Sequence, residues 1–228
     1  MKRNKKLLLV QPHSDDILFS CSHLLFDDSY EKEVLTIENN SKRIVEDEKL
    51  YSFLGIPFHH LEVEFDDQSY YGYHKQYKEV TVEQSYTYLR EFFDSYTLNE
   101  IEDAVEKFLS KFFKRNKVED VTVVAPWGVG HPFHLFIRDV LEKKISVMWY
   151  YREFPHSYKR RSQAQVDKQK KEYKLLSSTP VEDFDDVKWE LAKKFYKSQS
   201  SLLWFEQGYI NKRIPEEVYV NKEQILPF

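Results

Sequence analysis

The sequence predicts an α/β protein whose mostly parallel sheet is flanked by helices. Segments with the apolar pattern of buried strands alternate with segments of helical periodicity, which is the order expected of strand–helix–strand units. The strongest strand pattern covers residues 120–125, which are rich in valine and stop at Pro126. Neither an internal repeat nor a linker interrupts this pattern, so residues 1–228 are predicted to form a single domain.

The predicted elements have ordinary boundaries. Gly55 and Pro57 end the helical stretch before them, which is a normal stop signal. Residues 66–80 are polar and tyrosine-rich without a clear period, and this predicts a surface loop that could cover a site. In chain order the predictions are a strand at 7–10, a helix at 15–26, a strand at 32–37, a helix at 41–54, a strand at 59–65, a helix at 83–113 broken near 94–98, a strand at 120–125, a helix at 133–143, a strand at 145–151, helices at 162–177 and 187–204, and a short end at 217–220.

Composition excludes several classes of protein. The 228 residues include 34 Lys+Arg and 38 Asp+Glu, and this net charge of −4 argues against a nucleic-acid binder. The single cysteine, Cys21, excludes a disulfide framework and a cysteine-rich zinc module. Apolar runs fall far short of the roughly 20 residues that span a bilayer, and the run at 7–10 is too short for a secretory signal. We expect a cytoplasmic protein with no membrane span, and a homo-oligomer is left open.

The first group of residues suited to catalysis follows the first predicted strand. Residues 12–16 read Pro-His-Ser-Asp-Asp, and α/β proteins place their sites where parallel strands end. A histidine nitrogen and an aspartate oxygen are standard zinc ligands, and a second carboxylate beside them can act as a general base. The alternative is a plain helix N-terminus, at which Ser14, Asp15 and Asp16 would act as caps and favourable charges.

The second group follows the strongest strand. Residues 131–134 read His-Pro-Phe-His, and proline is favourable at the first helical position. His131 would therefore stand at the helix entrance and His134 in the first turn, on the same face. A pair of this kind also arises by chance, and the alternative is two structural histidines at a helix entrance.

Together the two groups predict a metal site at one edge of the sheet. His13, Asp16 and His134 would form a catalytic-type zinc site with an open position for water, although such donors also accept other divalent metals. Zinc can lower the pKa of that water to about 7. Asp15 and His131 would then supply a base and a proton donor or oxyanion stabiliser, which completes a set for metal-assisted amide hydrolysis.

Five short motifs in this order resemble those of the PIG-L/LmbE-like zinc-dependent N-deacetylases and together cover roughly residues 7–205. The matching segments are residues 12–16, similar to the family's HPDD; Arg43 and Glu46, similar to an R-x-x-E helix before an LG turn; residues 131–134, similar to HPDH; residues 150–155, similar to YYED-P; and residues 193–199, similar to K…Y-x-SQ.

The resemblance implies a Rossmann-like α/β fold and removal of acetyl groups from N-acetylated sugars or sugar conjugates. It implies His13, Asp16 and His134 as zinc ligands. It implies Asp15 as the general base and His131 as the group that stabilises the oxyanion or protonates the amine.

Three further residues are predicted to bind the substrate: Arg43, Trp127 and Arg152. Trp127 stands at the mouth of the predicted site, where it would stack on a sugar ring or pack under the turn. The six basic residues within 159–171 are interpreted as a solvated helix face, with a site for an anionic ligand group as the alternative.

Two departures from the family pattern bear on activity. Ile17 stands where the family has an acidic residue after the aspartate pair, and Phe133 replaces the aspartate between the two histidines. Without a carboxylate beside it, His131 should more often be neutral near pH 7, unless another acid replaces that carboxylate. The alternative function is therefore a catalytically degenerate, metal-containing protein that binds a carbohydrate or a partner protein. A lesser alternative keeps the hydrolase and changes the substrate to an N-acyl amino acid or an antibiotic precursor.

Overall fold

The structure is a computed structural model that describes residues 5–38, 40–61, 63, 87, 89–91, 95–179, 185–199 and 215–224. In chain order its strands and helices are β1 (Lys6–Gln11), α1 (Asp16–Ser20), α2 (Ser22–Phe26), β2 (Glu31–Thr36), α3 (Ser41–Leu54), β3 (Phe58–His60), α4 (Ser95–Arg115), β4 (Val121–Pro126), α5 (Pro132–Glu142), β5 (Met148–Tyr151), α6 (Gln163–Glu172), β6 (Tyr173–Thr179), α7 (Asp185–Phe195) and β7 (Glu216–Asn221). The predicted loop at 66–80 lies outside the described residues.

The strands form one seven-stranded sheet in the order β3-β2-β1-β4-β5-β7-β6. The five strands from β3 to β5 in this order pair in parallel. Strand β7 pairs antiparallel with both β5 and β6, and β6 forms the edge of the sheet. The prediction of an α/β protein with a mostly parallel sheet flanked by helices is confirmed.

Strand β1 has apolar residues on both faces because both faces of the sheet are covered. Leu8 and Val10 pack into a core layer with α4 and α5. Leu7 and Leu9 point the other way, into a second layer with α1, α2, α3 and α7. Successive side chains of a strand alternate between faces. One continuous apolar run therefore contributes side chains to both core layers.

Helix α3 has the bounds that the sequence predicts because its signals are local. The Asn40 side chain accepts hydrogen bonds from the backbone N–H groups of Lys42 and Arg43 at the first turn. Gly55 ends the helix in the left-handed conformation, with φ of 68°, where glycine is favoured.

Several predicted boundaries are wrong. Helix α7 ends at Phe195, before the predicted 204, strand β5 begins at Met148 and not at 145, and α4 is continuous from Ser95, without the break predicted near 94–98. The helix predicted at 15–26 is broken at Cys21, whose φ of −150° separates α1 from α2. The helix predicted at 162–177 ends at Glu172, and the chain continues as strand β6. Strand β3 ends at His60, before the predicted 65.

Candidate metal centre

The candidate site lies at the carboxyl ends of three neighbouring strands, β1, β4 and β5. Strand β1 is flanked by β2 on one side and by β4 on the other. The chain leaves β1 and β4 in opposite directions along the sheet. Open α/β sheets bind ligands at such a switch point. The two sequence motifs expected to meet, residues 12–16 and 131–134, follow β1 and β4.

The segment after β1 is held in an unusual backbone conformation. Asp15 has φ of 90°, in the left-handed region that aspartate and asparagine adopt more readily than most side chains. Its side chain makes no cap to α1. Instead, the Asp16 carboxylate accepts a hydrogen bond of 2.8 Å from the backbone N–H of His13. This turn directs His13 and Asp16 towards the same point.

The segment after β4 depends on two glycines with positive φ, Gly128 at 76° and Gly130 at 82°. A Cβ atom on Gly130 would lie 2.5 Å from the carbonyl oxygen of His156, so only glycine fits there. His131 then takes the extended N-cap position of α5, and His134 lies in the first turn after Pro132, as the sequence predicts.

Three donor atoms converge at this edge. His13 Nδ1 lies 3.0 Å from His134 Nε2, and Asp16 Oδ2 lies 3.5 Å from the first nitrogen and 3.3 Å from the second. Ligand atoms at tetrahedral zinc, with bonds of about 2.0–2.1 Å, are about 3.3–3.4 Å apart. The three side chains are buried, and the spacing and chemistry of their donor atoms fit a zinc ion.

His131 belongs to the same cluster. Nitrogen atoms of His13, His131 and His134 lie within 4.8 Å of one another, and all three residues are buried. In the described part of the chain, these three histidines lie close enough to bind a metal ion. Burial, with the nearby imidazoles of His134 and His156, lowers the pKa of His131 well below its usual value. A neutral imidazole is what the sequence leads us to expect there.

Asp15 is held by an arginine. Arg43 Nη2 lies 3.2 Å from Asp15 Oδ2 and donates to the carbonyl of Ser14 at 2.7 Å, while Nη1 donates to Glu38. Burial raises the pKa of Asp15 well above its usual value, and the Arg43 charge opposes this rise. Asp16 differs, because the opposing effects of His134 and His13 outweigh burial and lower its pKa. One carboxylate therefore suits proton transfer and the other suits ligation.

Glu153 is a site residue to which the sequence patterns gave no role. It is fully buried two residues after the end of β5, and its Oε1 accepts hydrogen bonds from the backbone N–H groups of Gly128 and Val129. The same oxygen lies 3.7 Å from His134 Nδ1, on the far side of that ring from Asp16. This distance is too long for a hydrogen bond, so Glu153 places a carboxylate charge behind the His134 ring without bonding to it. The rule that strand ends carry sites marks its position, whereas its contact with His134 depends on the strand order.

The two departures from the family pattern lie in the core. Ile17 and Phe133 are fully buried, and the Phe133 ring lies 5.4 Å from that of His13. Glu153 brings a carboxylate to this cluster, but it lies against His134 and does not take the place of residue 133.

The three residues predicted to bind the substrate lie in different surroundings. Arg43 lies beside Asp15 at the site. Trp127 is fully buried and stacked on Tyr219 at 4.2 Å, so it packs under the turn, which is the second of the two alternatives. Arg152 is also buried, and its guanidinium binds Glu217 at 2.6 Å. Substrate binding by Arg43 and Arg152 stays a prediction.

Two more of the sequence motifs meet in the structure. The Glu46 carboxylate accepts hydrogen bonds from the backbone N–H and the hydroxyl of Ser198. The next residue, Asp47, accepts one from Tyr196. The R-x-x-E helix and the late Y-x-SQ segment, which are about 150 residues apart, therefore pack together, and this connects α3 to the segment after α7.

Compared with protein-family models, curated proteins and solved structures, the chain has no match. The resemblance to the N-deacetylase family therefore rests on the sequence motifs. None of the helices in the described ranges is both long and apolar enough to cross a membrane. Fold and site together define an α/β protein with a candidate metal centre at the carboxyl edge of its sheet.

Proposed function

We propose that the protein is a metal-dependent hydrolase that removes the N-acetyl group from a small N-acetylated sugar or glycoconjugate. The observation that carries this proposal is the triangle of His13, Asp16 and His134 donor atoms, with the Asp15 carboxylate on the adjacent residue. The fit to zinc supports the metal, and the family resemblance supports the acetylated sugar.

A zinc ion would act as a Lewis acid and bring the pKa of water at the site to about 7. Asp15 would accept a proton from a water molecule as the water oxygen attacks the acetyl carbonyl carbon. The N–H of neutral His131 donates to the carbonyl oxygen as negative charge develops on it. When the C–N bond breaks, Asp15 returns the proton to the nitrogen, and acetate and a free amine leave.

The metal prediction is tested by elemental analysis of untagged protein after zinc loading. We expect about one zinc per wild-type chain, because three donor atoms have tetrahedral spacing, and less than a tenth of that in His134→Ala. His131→Ala is the matched control. Since its ring lies outside the triangle, it should keep the zinc. A full zinc content in His134→Ala would refute this ligand set, and loss in His131→Ala would point to three histidine ligands instead.

The catalytic prediction concerns Asp15→Asn. Asparagine tolerates the left-handed backbone of this position, so the variant should fold and keep its zinc. Removing a general base typically lowers the rate by about 10²–10⁴-fold. We expect a loss in this range when free amine is measured across a panel of N-acetyl sugars. Unchanged turnover in the variant would exclude Asp15 as the base.

The second candidate function is a catalytically degenerate protein that keeps the metal and binds a carbohydrate or a partner protein. The apolar core positions of Ile17 and Phe133 favour it. Zinc-dependent sugar binding without amine release from any N-acetyl compound would support this alternative and contradict the hydrolase.

A further inference from the structure

A second cluster of hydrogen-bonded polar side chains lies outside the metal centre. His23 on α2 places Nδ1 2.8 Å from Glu216 Oε2 on β7. Its other ring nitrogen, Nε2, lies 3.3 Å from the hydroxyl oxygen of Ser177 on β6. The order hydroxyl, imidazole, carboxylate is the arrangement that activates a serine nucleophile.

Glu216 determines which nitrogen of His23 carries the proton. Although burial raises the pKa of Glu216, hydrogen bonds from His23 and Ser22 and the Lys188 charge lower it to about 2. The ionised carboxylate accepts from the backbone N–H of His23 at 3.0 Å and from the Ser22 hydroxyl at 2.7 Å. Because a carboxylate can only accept, His23 Nδ1 is the donor to Glu216, and Nε2 is the ring nitrogen that can accept from the Ser177 hydroxyl.

The exposure of the three residues matches the same roles. His23 and Glu216 are buried, at 8% and 6% exposure, whereas Ser177 is partly exposed on a strand at the edge of the sheet. The pairing of β6 with β7 is irregular between Leu175 and Ser177. Bulges of this kind redirect side chains and occur next to active sites.

We propose that Ser177, His23 and Glu216 form a serine-nucleophile site for small carboxylic esters with an apolar acyl group. Leu175 and Leu176 support the apolar preference, because these neighbours of the serine are 45% and 43% exposed. Ser177 Oγ attacks the ester carbonyl carbon and its proton passes to His23 Nε2. His23 gives this proton to the departing alcohol. Water then hydrolyses the acyl-serine and restores both residues, with release of the carboxylic acid.

The test is labelling of the full chain with an alkyl fluorophosphonate, followed by mass spectrometry of the peptides. We expect one label per chain on Ser177, loss of labelling in Ser177→Ala, and at least a tenfold slower reaction in His23→Gln. Ser178→Ala is the matched control, because Ser178 is the exposed neighbour on the same strand, and it should label like wild type. Circular dichroism confirms that each variant folds.

Labelling no faster than that of heat-denatured protein would overturn the proposal. Equal labelling of Ser177→Ala, or a label at another residue, would overturn it too. This proposal does not depend on the proposed deacetylase function. His134→Ala should lose its zinc and still be labelled on Ser177.

Discussion

At the scale of single residues, Asp47 shows how burial can set a carboxylate's proton affinity. Asp47 is fully buried on α3, and its carboxylate accepts hydrogen bonds from Gln11, Thr36 and Tyr196. Burial raises its pKa to about 7, although the hydrogen bonds from Tyr196 and Thr36 oppose the rise. The folded protein therefore binds a proton here that the unfolded chain releases at much lower pH.

This proton predicts how stability depends on pH. Between pH 4 and 7 Asp47 holds a proton in the folded state that it lacks in the unfolded state, so its own contribution to the free energy of unfolding falls as pH rises, by roughly 4 kcal/mol over the range. Asp47→Asn cannot ionise and should show a flatter profile. Urea unfolding at several pH values from 4 to 8 measures the difference. Parallel profiles for wild type and variant would contradict the raised pKa.

The residues of the metal centre differ in how far the sequence could predict them. The convergence of His13, Asp16 and His134 could be predicted because each belongs to a short pattern that follows a strand. Glu153 belongs to the same edge, but its role depends on β5 lying next to β4, and strand order is not written in a local pattern. The partnership of Arg43 with Asp15 has the same origin, since it joins α3 to the end of β1.

At the scale of elements, the sequence predicted the bounds of a helix correctly where its start and stop signals lie next to it in the chain. Helix α3 has a capping Asn40 and a terminal Gly55, and its predicted bounds are confirmed. Strand β6 was missed because its strand conformation depends on pairing with β7, about 36 residues later in the chain. The break between α1 and α2 lies next to Ser20, whose hydroxyl accepts the backbone N–H of Phe154. A contact so distant in sequence leaves no local pattern.

The turn before α5 gives a prediction at this scale. Gly130→Ala combines a left-handed backbone, which costs about 1–2 kcal/mol for other residues, with a Cβ contact of 2.5 Å to the His156 carbonyl. We expect this variant to lose more than about 2 kcal/mol of unfolding free energy, measured in urea, and to bind zinc more weakly. Gly55→Ala has a similar φ of 68° and no atom within 4 Å of its Cβ, so it should lose about 1 kcal/mol. Equal losses of unfolding free energy in the two variants would contradict the expected cost of the Cβ contact at residue 130.

At the scale of the whole molecule, the candidate metal centre joins segments that are far apart in the sequence. The turn after β1 provides His13 and Asp16, and the helix after β4 provides His134. Because these side chains come together only in the folded chain, a metal bound by them would stabilise the fold against unfolding.

Metal removal should therefore lower the melting temperature. At a free zinc concentration of 100 times Kd, binding adds about 2.7 kcal/mol, and in a chain of this size each kcal/mol corresponds to roughly 2–4 °C. We expect chelation to lower Tm by roughly 5–10 °C in calorimetry. His134→Ala, which lacks one donor, should melt at the same temperature with and without the chelator. An unchanged wild-type Tm would contradict a metal held by these segments.

The position of β7 has a consequence for synthesis of the chain. This strand lies between β5 and β6 in the sheet, yet the ribosome makes it after both. At about 5–20 residues per second, the roughly 36 residues between β6 and β7 take roughly 2–7 s to add. During that interval the nascent chain presents β5 as an open sheet edge, with backbone groups available to other strands. The segments that carry the candidate metal ligands are complete by then, so the candidate site can assemble before the sheet closes.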